Sequence, residues 1–148
     1  FDRPSVAGTA IAAHEVGHAI QHQQGYAFLR FRTALVPLAN IGSSLSYIII
    51  MAGIFLTALG SAFGSTALWI GAGLMSLAVL FSIVTLPVEF DASSRAMKQI
   101  TALNIVNEKE YKHARKVLSA AAMTYVAATA TAVAELVRII LLARASDN

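Results

Sequence analysis

The stretch IGSSLSYIIIMAGIFLTALG (residues 41–60), the turn SAFGS (61–65) and TALWIGAGLMSLAVLFSIVTL (66–86) together contain no Asp, Glu, Lys or Arg, and the charge-free run extends from Thr33 to Val88. A helix needs about 20 apolar residues to cross a bilayer. Two spans fit, at about residues 41–60 and 66–86, split by the Gly- and Ser-rich turn. Glycines 53, 71 and 73 suit close helix packing in lipid. A buried hairpin in a water-soluble protein is the alternative. It would leave too little chain to cover two long apolar helices. Composition agrees with the membrane reading. The chain is 57% hydrophobic and 13% charged, against a usual charged share of about 25%.

Working outward, Pro87 is expected to bend or restart the chain. A polar juxtamembrane helix then begins at Glu89-Phe90-Asp91-Ala92-Ser93-Ser94-Arg95. Asn107 to Glu110 reads as an N-cap with a capping-box glutamate. The helix it starts turns apolar, with no charge from Val117 to Ala134. This is a third span, at about 119–141. Glu135 and Arg138 are three apart near its far end and can pair, as an end-of-helix set. Upstream of the hairpin, Tyr26 to Val36 alternates weakly. It fits either an edge strand or a membrane-surface segment with snorkelling arginines. The fold expected is an all-α membrane protein, residues 1–148 forming one domain.

The first helix is expected from about residue 4, opened by Arg3-Pro4-Ser5, to Gln24, with Gly25 as its stop. It carries Ala13-His14-Glu15-Val16-Gly17-His18-Ala19-Ile20-Gln21-His22, an HExxH pattern. Residues i and i+4 share one helix face, so two imidazoles can converge on one metal ion, with Glu15 beside them as general base. The chance expectation of this pattern here is about 0.004, so a pair of unrelated surface histidines is the weaker reading. The chain has no cysteine, which leaves His, Asp and Glu as metal ligands. His22 lies about 6 Å further along the axis than His18. It is read as a rim or supporting residue rather than a third ligand on one ion.

Catalytic zinc takes three protein ligands and a water. Between His18 and residue 108 the only carboxylates are Glu89 and Asp91. Glu89, with its longer arm at a helix start, is the expected third ligand. Asp91 is then free to orient a histidine or to pair with Arg95 one turn on. A purely structural Glu89–arginine ion pair is the alternative. Arg95, Tyr111 and His113 are candidates for stabilising the charged oxygen of the reaction by their nearness in sequence alone.

The HExxH segment and Leu86-Pro87-Val88-Glu89-Phe90-Asp91-Ala92-Ser93, joined by an apolar hairpin, resemble the YugP-type neutral zinc metallopeptidases of bacterial membranes. The resemblance implies a zinc endopeptidase embedded in the bacterial plasma membrane and acting on protein or peptide. HtpX-type membrane proteases are a wider comparison. Their helix pattern is Glu-x-x-x-Asp, in which Glu89 matches the Glu and Ser93 stands in the place of the Asp.

Nine of the eleven Lys and Arg (Arg3, Arg30, Arg32, Arg95, Lys98, Lys109, Lys112, Arg115 and Lys116) fall on one side of the three spans. Arg138 and Arg144 fall at the other. By the positive-inside rule the HExxH helix and Glu89 are cytoplasmic. No basic run is interleaved with aromatics, which argues against nucleic acid. A metal transporter needs polar ligands inside its spans, and residues 33–88 offer no charged one. A non-catalytic scaffold pinned by a four-ligand structural zinc is the remaining rival. Membrane partners and oligomeric state are not legible here. The chain starts at Phe1 rather than Met and reads as a piece of a longer protein.

Overall fold

The computed structural model describes residues 5–147, which form four helices and no strand. They are α1 (Val6–Gln23), α2 (Ala27–Ala58), α3 (Phe63–Ala102) and α4 (Glu108–Ser146). Arg3 and Pro4 lie outside the described residues. Ser5 is the N-cap of α1, its hydroxyl accepting from the Gly8 N–H at 3.0 Å. The helix ends as expected at Gly25, whose φ of +63° lets the Tyr26 N–H turn back to the Gln21 carbonyl. The α4 start is also as read. Asn107 Oδ1 accepts from the Lys109 and Glu110 N–H groups, and the Glu110 carboxylate accepts from the Asn107 N–H. Helices α2, α3 and α4 are each long and apolar enough to cross a membrane. Large apolar side chains such as Ile41, Ile48 and Phe55 are each 64% exposed, a surface suited to lipid and not to water.

Two expectations change. The strand option for Tyr26 to Val36 fails, because α2 begins at Ala27. Its buried positions, Leu35, Ala39, Gly42, Ser46, Ile50 and Gly53, keep helical spacing from the outset. The apparent alternation came from Arg30 and Arg32, which happen to share a parity. Nor does Pro87 restart the chain. α3 runs through it, so the segment carrying Glu89 is the continuation of the second span and Glu89 sits mid-helix. Proline removes one backbone bond. The run-through is favoured by a buried stripe, Val84, Val88, Ala92, Ala96 and Ile100, that stays aligned only if the helix is unbroken.

Contacts group the described residues into two compact units, 5–31 with 84–127 and 32–83 with 128–147. The core of the first is Ala10, Ala13, Ala96, Ile100, Ala114 and Leu118. Four of these six are alanine, so α1, α3 and α4 approach closely. The second centres on Ile50, Leu68, Ala72, Ile139 and Ala143. There a Cβ on Gly53 would fall 3.0 Å from Leu68, and one on Gly71 would fall 2.4 Å from Ile50. Gly73 has nothing within 4 Å and takes no part. Asp147 accepts hydrogen bonds from the Ser65 hydroxyl and, at 3.0 Å, from the Trp69 indole. This ties the end of α4 to the start of α3.

Candidate metal centre

Helix geometry decides which α1 residues meet α3. Taking His14 as zero and about 100° per residue, His18 lies at about 40°, Gln21 at about −20° and His22 at about 80°. The buried residues Ala10, Ala13, Gly17 and Gln21 fall between about −100° and −20°. His14 and His18 therefore border the packed face, while His22 is turned away and exposed. His22 stands outside the group formed by His14, His18 and Glu89. Glu15, at about 100°, is exposed on the flank beside His18.

Gly17 sets the distance between the helices. A Cβ there would lie 2.3 Å from the Ala92 carbonyl oxygen. That approach brings Glu89, one turn before Ala92 on α3, against the two imidazoles. His14 Nε2 is 3.1 Å and His18 Nε2 3.6 Å from Glu89 Oε2. One ligand atom from each residue lies within 4.8 Å of the other two. The imidazoles stand edge to face, 4.7 Å apart at 86°. Zinc bonds of about 2.0–2.2 Å in a tetrahedron separate ligand atoms by about 3.4 Å. The observed 3.1 and 3.6 Å bracket that spacing. Glu89 is 3% exposed, His14 16% and His18 22%, so the open side of the group is the histidine side.

Each imidazole is held from behind by an uncharged group. The Ser93 hydroxyl lies 3.1 Å from His14 Nδ1. His18 Nδ1 lies 2.9 Å from Gln21 Oε1. The Gln21 amide nitrogen donates to the Val88 carbonyl and to Asp91 Oδ2, both at 2.8 Å. Neither of those oxygens has a proton to give. Gln21 must therefore turn its nitrogen to them and its oxygen to His18, which fixes the proton of His18 on Nδ1 and leaves Nε2 free for a metal.

Asp91 closes the chain of contacts. It accepts from Arg95 Nε at 2.5 Å, as the sequence spacing allows. Burial alone would raise its carboxyl, but the hydrogen bonds from Gln21 and Arg95 and the charges of Arg95 and Lys98 outweigh it and hold the group below its ordinary value. Asp91 thus reaches His18 through Gln21 rather than directly. Arg95 also donates to Gln24 and lies 5.6 Å over the Tyr26 ring. It clasps the end of α1. His113 bonds the Lys109 carbonyl, 2.8 Å away. Tyr111 lines a groove of about 800 Å³ with Ser93 and Arg115.

Gln21 is the residue the sequence reading passed over. Its signal was its angle, nearer the packed face than His22. Gln21→Leu is expected to weaken zinc binding about 10- to 100-fold, as read by competition with a chelating dye. An unchanged affinity would remove Gln21 from the support of His18.

Over residues 1–144 the chain matches the family described as "Putative neutral zinc metallopeptidase". It is 39% identical over 138 residues to "Putative membrane protease YugP" of Bacillus subtilis (strain 168), an alignment covering 93% of this chain and 59% of that protein. The chain thus spans somewhat over half the length of that curated relative. No solved structure matches it.

Proposed function

The chain belongs to the neutral zinc metallopeptidase family, and from that premise we propose that it is a membrane-embedded endopeptidase whose zinc is held by His14, His18 and Glu89. The observation that carries this reading is the convergence of two Nε2 atoms on one carboxylate oxygen of Glu89, at 3.1 and 3.6 Å. Held by these residues, a zinc ion would supply a water of lowered pKa, towards about 7, and a Lewis acid for the scissile carbonyl. Glu15 accepts the water's proton as its oxygen attacks the carbonyl carbon, then passes that proton to the amine leaving as the C–N bond breaks. Ser93 and Gln21 keep both imidazoles oriented, and Glu89 contributes the negative charge. The excess of Lys and Arg on the side of α1 and Glu89 supports a cytoplasmic site.

A structural zinc would be enclosed by four protein ligands. Among the described residues the group contains three, which supports an open position for water and substrate. Protein purified in detergent is expected to hold about one zinc per chain and to cleave an unfolded protein such as casein. Stripping the metal with 1,10-phenanthroline should abolish cleavage, and added zinc should restore it. Cleavage that survives complete stripping would overturn the assignment.

A further inference from the structure

One feature of the second unit has no part in the zinc site. Arg138 donates from Nε, at 2.9 Å, and from a terminal nitrogen, at 2.5 Å, to the two carboxylate oxygens of Glu135. The side chains are 57% and 41% exposed. They open on a groove of about 460 Å³ whose other walls include Ser43, Ser44 and Tyr47 of α2 and Met75 of α3.

The depth of this pair is what matters. The sequence suggested an end-of-helix set, yet α4 runs on to Ser146, and Asp147 bonds Ser65 and Trp69 at the start of α3. At 1.5 Å per residue, Arg138 and Glu135 lie about 13 and 18 Å in from Asp147. With Asp147 at the edge of a bilayer core about 30 Å thick, the pair would lie near mid-depth. Nor does Arg138 snorkel outward. It reaches back one turn towards the α4 N-terminus, deeper into the apolar layer. Exposed charges at that depth are costly against lipid tails.

We propose that this face of α4 docks a second copy of the same chain in the membrane. Two observations select that occupant. The face carries one acid and one base, so under a two-fold axis each Glu135 meets the partner's Arg138 and the surface completes itself. The pair also continues a seam of exposed Ala128 and Thr131 with Leu142 beyond, spaced 3-4-3-4 along one side of α4. Small residues at that spacing let helix backbones approach in a left-handed crossing.

The absence of cysteine allows a direct test in native membranes. Thr131→Cys should form oxidative dimers, while Val133→Cys, on the opposite side of α4, should not. Glu135→Gln should weaken the dimer about 3- to 20-fold, the range for polar contacts between membrane helices. Glu135→Arg chains mixed with Arg138→Glu chains should pair with each other in preference to themselves. A wild-type chain that stays single at all protein-to-lipid ratios, equal crosslinking at 131 and 133, or crosslinks only to a chain of another mass would overturn the proposal.

Discussion

Glu15→Gln is expected to lower kcat for peptide hydrolysis by about 10²–10⁴-fold, the usual contribution of a general base, with zinc content unchanged. The substitution keeps the shape of the side chain and removes its ability to take a proton. Glu15 lies on the exposed flank of α1, outside the group that would hold the ion. Its loss should therefore leave metal and fold intact. Glu89→Ala should behave in the opposite way. It removes the one carboxylate of the group, from a side chain that is 3% exposed, and zinc should be lost along with activity. Metal analysis and cleavage assays on both variants separate the two roles. A Glu15→Gln enzyme with wild-type turnover would mean that the water gives its proton elsewhere. A Glu89→Ala protein with full zinc would require another third ligand.

The second large effect is expected at Gly17. In an open helix, glycine to alanine is stabilising by about 1 kcal/mol. At Gly17 the sign should reverse. The new Cβ would lie 2.3 Å from the Ala92 oxygen, 3.0 Å from its carbonyl carbon and 3.2 Å from its Cα. These are backbone atoms and cannot rotate aside, so α1 and α3 must part. Overpacking of this kind costs about 1–3 kcal/mol. The larger consequence is chemical. His18 follows Gly17 directly, and Glu89 is one turn from Ala92, so the parting opens the ligand group itself. A misplacement of about 1 Å can cost about 100-fold in rate. Gly17→Ala should thus lower Tm, zinc affinity and activity together. Gly73→Ala, where nothing lies within 4 Å, is the control and should leave all three intact or raise Tm slightly. Equal behaviour of the two variants would show that the close approach at Gly17 does not set the site.

What the sequence disclosed and what it concealed follow from the range of the interactions. Spans, the Gly25 stop and the Asn107 cap are local, and they were legible from composition and spacing. His14, His18 and Glu89 were legible as a set because the charge-free run left only two carboxylates in reach. Helix continuity through Pro87 was not legible. It depends on the stripe from Val84 to Ile100 packing in three dimensions, against a strong local signal to break. Ser93 looked like a departure because it replaced an acid. Only the packed helices show that its hydroxyl meets His14, and that the nearby acid, Asp91, works through the Gln21 amide. The depth of Glu135 and Arg138 was hidden for a similar reason. That α4 runs on past this pair shows only in the contact Asp147 makes with Ser65 and Trp69 of another helix.

Two imidazole nitrogens and one carboxylate oxygen, with no thiolate within the chain, also have a bearing on metal choice. Such a donor set would bind first-row divalent ions in their ordinary order, rising from manganese through iron, cobalt and nickel to copper(II), with zinc below copper. The ligands themselves do little to refuse a competitor. Which ion occupies the site in the cell is then decided by supply: by how tightly the surrounding compartment buffers copper and how much zinc it leaves exchangeable.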